Sequence, residues 1–280
     1  MCLFSRFVEP CIVARKMLPD RLIQTTVSEL MIHIFGDQPH ALAAQLADWM
    51  ASAPRFKAFV ATYRDKIRKK IRGTRDAEGL RDLLLELETA YILLQERRLS
   101  VEYEKYGVGK ARGPDFAVTY KTSIVFNVEV TRMRSSDSNG EGGELERGHS
   151  PLKLPPPQNI EKIQQYEISK LIDTVCGKLG QMLASMINVL VVIPDDGRLD
   201  NTDVMVAMAR LQERAGRKES EFFARKGFSG VQDFYKYYHR LSGVLVRGSL
   251  DHGADKRPIL WVNAQARHPI PADLRVILQK

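Results

Sequence analysis

The chain has 280 residues, of which 44% are hydrophobic and 27% charged, an ordinary balance for a soluble protein with enough apolar material for a buried core. Its 42 lysines and arginines outnumber its 34 acids and give a net charge of +8, which favours a polyanionic partner such as nucleic acid over an acidic small molecule. The three cysteines are far apart in the sequence, which argues against a disulfide framework or a zinc site and fits a reducing compartment such as the cytoplasm.

Residues 1–75 predict a helical N-terminal region. The N-terminus does not resemble a signal peptide, and no stretch approaches the roughly 18 apolar residues of a membrane span, so no membrane association is expected. Apolar residues recur at helical spacing over residues 20–50, with a break at 36–39. Residues 55–72 predict an amphipathic helix with an aromatic and aliphatic stripe on one side and lysines and arginines on the other. This basic helix is interpreted either as a phosphate-contacting arm or as a solvated surface helix.

The next predicted helix, residues 76–98, is apolar on most sides and is expected to be largely buried. Glu86 falls on its apolar line, where a carboxylate needs either a partner or a head group that reaches water. Glu88 is the competing candidate for a functional acid on the same helix.

Residues 113–134 predict a β-hairpin that follows a strand near residues 100–106. The alternation of apolar residues favours a register that pairs Phe116 with Val128 and therefore places Asp115 opposite Glu129. Opposed side chains have Cβ atoms about 4.5–5.5 Å apart. Two carboxylates at that spacing do not both stay ionised unless a cation lies between them. The alternative is a simple hairpin with one acid in its entry turn and the other on a solvated face.

The segment 135–159 is rich in Ser, Gly, Glu and Pro and predicts a mobile loop beside the hairpin. Residues 160–186 predict a long helix in which Lys178 lies on the buried stripe and Gln181 is three residues further on. Lys178 is expected either to extend to water or to meet an anion. A strand at 188–193, buried on both faces, comes next, followed by two or three helices, two further strands and a proline-bounded tail.

This order of elements, with its acids and its lysine, resembles the PD-(D/E)XK, or restriction-endonuclease-like, nuclease superfamily. The resemblance is carried by Glu86, the Pro114-Asp115 pair, Glu129, and Lys178 with Gln181, and it covers roughly residues 76–193. It implies an α/β (α+β) fold with an αβββαβ core and a mixed central sheet flanked by helices. It also implies two regions, an N-terminal helical extension over 1–75 and a nuclease-like domain over 76–280.

The resemblance further implies a metal site. Asp115 and Glu129 would hold Mg²⁺ (or Mn²⁺), and Glu86 would assist as a third ligand or through a bound water. In that family a lysine usually follows the Glu by two positions, but here the position is Thr131. Lys178 is the candidate replacement, and Gln181 would orient a phosphate or a water. Arg132 is a poorer replacement because strand alternation turns it to the opposite face from Glu129.

The expected function is therefore Mg²⁺-dependent hydrolysis of nucleic acid, with DNA favoured over RNA as the substrate and a homodimer as an open alternative to a monomer. The second hypothesis is a catalytically impaired nuclease-fold protein that binds or scaffolds nucleic acid, which Thr131 favours because threonine supplies no cation. A third is a helical interaction protein that engages another protein through its N-terminal region.

Overall fold

A computed structural model describes residues 25–106, 113–134, 157–195, 199–250 and 257–280. The chain divides into two compact units, one ending at Asp65 and the other spanning Lys66–Lys280, and the division falls within helix α3. The loop predicted over residues 135–159 lies outside the described residues except for its last residues, 157–159.

The first unit consists of helices α1 (Val27–Phe35) and α2 (Ala43–Ser52) and the beginning of α3 (Pro54–Gly73). A capping box starts α1, because the Thr26 side chain accepts from the Glu29 N–H while the Glu29 carboxylate accepts from the Thr26 N–H. The core of the unit is formed by buried side chains, among them Leu30, Ile34, Leu46, Met50 and Phe56. The prediction of helices in this part of the chain is confirmed.

The second unit is built on a six-stranded mixed sheet whose spatial order follows the chain. Its strands are β1 (Leu99–Tyr103), β2 (Phe116–Tyr120), β3 (Ile124–Met133), β4 (Ile187–Pro194), β5 (Gly243–Val246) and β6 (Ile259–Val262). The first three strands and the last pair are antiparallel, whereas β3, β4 and β5 run parallel to one another. The predicted α/β architecture with a mixed sheet is confirmed at this level.

Helices flank this sheet. They are α4 (Ala77–Gln95), α5 (Pro157–Lys178), α6 (Asn201–Gly216), α7 (Ser220–Arg225), α8 (Val231–Tyr238) and α9 (Ala272–Leu278). Asp76 caps α4 by accepting from the Gly79 N–H at 2.6 Å. One hydrophobic core packs α5, α6 and α8 against β4 and β5, with Leu171, Val192, Leu211 and Phe234 fully buried. No helix in the described part of the chain is long and apolar enough to cross a membrane.

The hairpin has the predicted register, with Phe116 opposite Val128 and Tyr120 opposite Ile124. Two other expectations were wrong. The long helix predicted to reach residue 186 ends at Lys178 and continues only as a 3-10 turn, Leu179–Gln181. The tail also contains an additional helix, α9, whose Leu274, Ile277 and Leu278 are buried.

Candidate active site

Asp115 lies at the bend that leads into β2, and its side chain is buried. Its Oδ2 accepts from the Val130 N–H at 2.8 Å, and its carbonyl oxygen accepts from the Glu104 N–H at 2.7 Å. Because Phe116 pairs with Val128, Asp115 is directly across the hairpin from Glu129, as predicted. No other described group donates a hydrogen bond to the carboxylate, so Oδ1 receives none from the described residues.

Glu129 lies on β3 and is buried. The Lys178 Nζ, at the end of α5, donates to its Oε1 at 2.8 Å. With its amide nitrogen turned toward the carboxylate, Gln181 donates to both oxygens, at 3.0 Å for Oε2. Lys178 therefore meets an anion rather than extending to water, which is one of the two outcomes that its position on the buried stripe allowed.

Glu86 enters from α4 and is also largely buried. Two donors reach the same oxygen, Oε2: the Lys70 Nζ at 2.7 Å and the Tyr103 hydroxyl at 2.8 Å. Lys70 also forms an ion pair with Glu104 at 2.8 Å. Oε1 of Glu86 receives no donor from the part of the chain that the structure describes, so each of the acids Glu86 and Asp115 has one oxygen held and one left open.

The three acids are electrostatically coupled through Asp115. Burial raises the pKa of Asp115 well above its usual range, and the nearby carboxylates of Glu86 and Glu129 raise it further. The Val130 N–H and the Lys70 ammonium act in the opposite direction. Burial opposes the charge on Lys70, but the ion pairs with Glu86 and Glu104 raise its pKa overall. The site is thus a cluster of three acids in which Lys70 contacts Glu86 and Lys178 contacts Glu129.

The remaining candidates on β3 do not join this cluster. Thr131 is half-buried, and its side chain forms no hydrogen bond with the described residues. Arg132 points to the other side of the strand, as predicted, where it pairs with Asp195 and with Glu78 at 2.7 Å. The only described lysine that contacts Glu129 is therefore Lys178.

Glu88, the competing acid on α4, has a different environment from Glu86. It is fully buried and pairs with Arg247 at 2.5 Å, while the Ser249 hydroxyl and the Leu250 N–H donate to it at 3.1 Å. These three contacts reach both carboxylate oxygens. Glu88 is thus part of a buried ion pair that joins α4 to the end of β5, away from the Lys70 contact of Glu86.

Two residues of this cluster, Lys70 and Tyr103, were not among the candidates from the sequence. Lys70 belongs to the basic face of α3, where lysines usually face water. Tyr103 ends β1 opposite Phe116, and the two rings stack with centroids 5.3 Å apart. Two weak signals in the sequence could have pointed to them. Lys70 is next to Ile71, which is buried, and strand alternation turns Tyr103 to the same face as Phe116.

The donor chemistry fits a hard divalent cation, since carboxylate oxygens are the ligands that Mg²⁺ and Mn²⁺ prefer, and two of the oxygens here receive no hydrogen bond from the described residues. A carboxylate offers about four lone-pair sites, so Glu129 can keep Lys178 and still ligate a cation. Within the described ranges, however, no three His, Cys, Asp or Glu side chains already stand as a metal-binding group.

Comparison of the chain with protein-family models, with curated proteins and with solved structures gave no significant match.

Proposed function

We propose that this chain is a metal-dependent phosphodiesterase that cleaves nucleic acid, built on a restriction-endonuclease-like core. The observation that carries the proposal is the buried carboxylate of Asp115. It has one oxygen held by the Val130 N–H and one without a described donor, and it lies in the field of two further acids. Strongly perturbed, buried acids of this kind are concentrated at functional sites, where a bound cation offsets their repulsion.

The arrangement of elements supports the same proposal. An α4-β1-β2-β3-α5-β4 order brings an acid from the first helix, two from the hairpin and a lysine from the second helix into one region. These are the elements and residue types on which the resemblance to the PD-(D/E)XK superfamily rests. The net charge of +8 suits a polyanionic substrate.

In the proposed mechanism, Asp115 and Glu129 would hold one Mg²⁺, and Glu86 would contribute either a third ligand oxygen or a hydrogen bond to a bound water. When bound, the metal would supply Lewis acidity toward the scissile phosphate and would lower the pKa of an attacking water. The Lys178 ammonium, 2.8 Å from Glu129, provides the positive charge that Thr131 lacks, and it offsets negative charge that develops on the phosphate. The Gln181 amide orients Glu129 beside it.

Cleavage assays test this proposal. We expect the wild-type chain to cut DNA or RNA, single- or double-stranded, in the presence of Mg²⁺ or Mn²⁺. Asp115→Asn keeps the shape and the Val130 hydrogen bond but removes the charge, and we expect it to lower the rate by about 100-fold or more. The matched control is Asp48→Asn, which changes an exposed acid on α2 and is expected to leave the rate within about twofold. A wild-type chain that cuts none of these substrates with either metal contradicts the proposal.

A second candidate function is a nucleic-acid-binding module that keeps this fold without chemistry. Thr131 at the usual lysine position and the occupation of Glu129 by Lys178 and Gln181 favour it. It predicts binding that weakens steeply with salt and does not depend on divalent metal. Calorimetric titration with Mn²⁺ separates the two candidates, because heat that disappears in Asp115→Asn supports the metal-dependent enzyme.

A further inference from the structure

The last turns of α3 approach the acidic cluster directly. On the basic face of α3, Lys69 and Arg72 are exposed, but the Lys70 side chain is only 27% exposed. Its ammonium lies 2.7 Å from Glu86 and 2.8 Å from Glu104, and 4.8 Å from the centre of the Tyr103 ring. Lys66, one turn earlier, donates to the Tyr103 carbonyl oxygen at 3.1 Å. Lys70 is therefore fixed from several sides rather than freely solvated.

The second donor to Glu86 is equally constrained. The Tyr103 ring stacks on Phe116, the residue after Asp115, so its hydroxyl is held by packing as well as by its hydrogen bond. Glu104, which anchors Lys70, adopts a left-handed backbone with φ 47° and donates its N–H to the Asp115 carbonyl oxygen. A non-glycine residue is disfavoured in that conformation and persists in it only where its surroundings enforce it.

We propose that Lys70 is a positioning residue for the candidate metal site: together with Tyr103 it holds Glu86 through Oε2 and leaves Oε1 as the oxygen that faces the cation. This inference rests on the proposed function and extends that function, because Lys70 would make the basic helix α3 part of the candidate metal site. The physical reason is that a ligating carboxylate keeps its orientation only when hydrogen bonds fix its other oxygen, and loss of such outer partners typically weakens metal binding by about 10–100-fold.

Two other roles for Lys70 predict different effects of its removal on metal binding. If Lys70 were only a competing positive charge, its removal would strengthen the binding of a divalent cation, because the local field would become more negative. If Lys70 only stabilised the fold, its removal would change the free energy of unfolding but leave the metal affinity unchanged. Positioning of Glu86 predicts weaker metal binding in a chain that remains folded.

The experiment measures Mn²⁺ affinity by calorimetry on the full chain. We expect Lys70→Met, which removes the charge and the ion pairs with Glu86 and Glu104, to weaken Mn²⁺ binding about 10-fold. Lys70→Arg, which restores a charged donor, is expected to recover the affinity to within about threefold. Lys69→Met is the matched control on the exposed side of the same helix and is expected to bind like the wild type. Circular dichroism establishes that each variant is folded.

A double-mutant cycle shows whether Lys70 acts through Glu86. In a Glu86→Gln background, Lys70→Met is expected to cause no further loss of affinity, because there is no carboxylate left to orient. If Lys70→Met does not fold, Tyr103→Phe removes only the hydroxyl donor, keeps the ring, and is expected to weaken binding about threefold. Unchanged or tighter Mn²⁺ binding in the folded variants overturns the role of Lys70 while leaving Asp115 as a ligand. A wild-type chain that binds no Mn²⁺ overturns both proposals.

Discussion

Asp115 combines features that are unfavourable for folding and useful for binding a cation. Its side chain is only 3% exposed, one backbone N–H donates to it, and two other carboxylates lie within electrostatic range. Each of those neighbours has its own lysine, but Asp115 has none in direct contact among the described residues. Burying a carboxylate near like charges costs free energy, and proteins retain such arrangements mainly where function requires them.

This imbalance predicts a pH-dependent stability. Because the pKa of Asp115 is raised in the folded chain, the folded state binds this proton more tightly than the unfolded state, whose pKa is about 3.9. The contribution of Asp115 to the free energy of unfolding therefore falls as the pH rises from about 4 through the raised pKa, and the penalty is complete above it. Asp115→Asn removes the penalty, so we expect it to stabilise the metal-free chain at pH 7.5 by about 1–2 kcal/mol, with little difference near pH 4.

Urea unfolding in EDTA at several pH values measures this difference. Asp48→Asn, at an exposed position, is the control and is expected to follow the wild type at every pH. An Asp115→Asn chain that is less stable than the wild type at pH 7.5 contradicts the interpretation that the acid is held at a cost.

At the residue scale, the sequence predicted contacts that depend on local geometry. The Asp115–Glu129 pairing follows from strand alternation across one hairpin, and the position of Lys178 follows from the periodicity of one helix. The contacts of Lys70 and Tyr103 were not predictable in this way, because they depend on how α3 and β1 pack around α4. A lysine on a basic helix carries no local signal that distinguishes it from its solvated neighbours.

Helix α4 shows why a mostly apolar helix carries several acids. Glu78, near its start, pairs with Arg132 on β3, whereas Glu86 contacts Lys70 and Glu88 contacts Arg247. Glu86 and Glu88 are separated by about 200° around the helix axis, so they leave on nearly opposite sides. The helix is thus enclosed by partners on more than one face, and each buried acid pairs with a cation rather than facing water.

Removing one partner of the Glu88–Arg247 pair is expected to lower stability far more than replacing both partners together. Glu88→Ala or Arg247→Ala leaves a buried charge without its partner, and we expect each to lower the free energy of unfolding by about 3–5 kcal/mol. The double change Glu88→Leu with Arg247→Met removes both charges and is expected to cost far less than the sum of the two alanine variants. Burial also lowers the pKa of Arg247, in agreement with a desolvated guanidinium that depends on its partner.

Urea unfolding of the single and double variants measures this coupling. Arg98→Ala removes an exposed arginine that pairs with Glu96, and this control is expected to lower the free energy of unfolding far less than either single variant of the buried pair. Single variants of the buried pair that cost no more than the Arg98 control contradict the prediction.

At the element scale, helix α5 shows where periodicity alone misleads. The apolar stripe continues through Leu179 and Met182, which are both buried, so the sequence favours a longer helix. The chain instead leaves the helix after Lys178, where the Asn188 side chain accepts from the Leu183 N–H and donates to carbonyl oxygens including that of Met186. A side chain that satisfies the backbone of a turn competes with helix continuation, and this competition is not visible in the spacing of apolar residues.

At the scale of the whole chain, the second compact unit begins at Lys66, within helix α3. The resemblance placed a boundary after residue 75, just beyond the end of α3 at Gly73. The compact units instead divide after Asp65, which leaves the last turns of α3 in the second unit. In these turns, Lys66 donates to the carbonyl oxygen of Tyr103 on β1, and Lys70 donates to Glu86 on α4. The same turns include the buried Ile67 and Ile71. A boundary drawn at residue 75 would therefore remove part of the candidate site.

This difference predicts the behaviour of two fragments. A fragment of residues 66–280 keeps the contacts of Lys70, whereas a fragment of residues 76–280 loses them together with the burial of Ile67 and Ile71. Full burial of one isoleucine contributes about 1.5–3 kcal/mol, so we expect the shorter fragment to be less stable by at least about 2 kcal/mol or to lack a cooperative transition. Urea unfolding followed by circular dichroism compares them, and Lys70→Met within the longer fragment isolates the part of the loss that belongs to the ion pairs. Equal stability of the two fragments would show that the last turns of α3 belong with the helices that precede them.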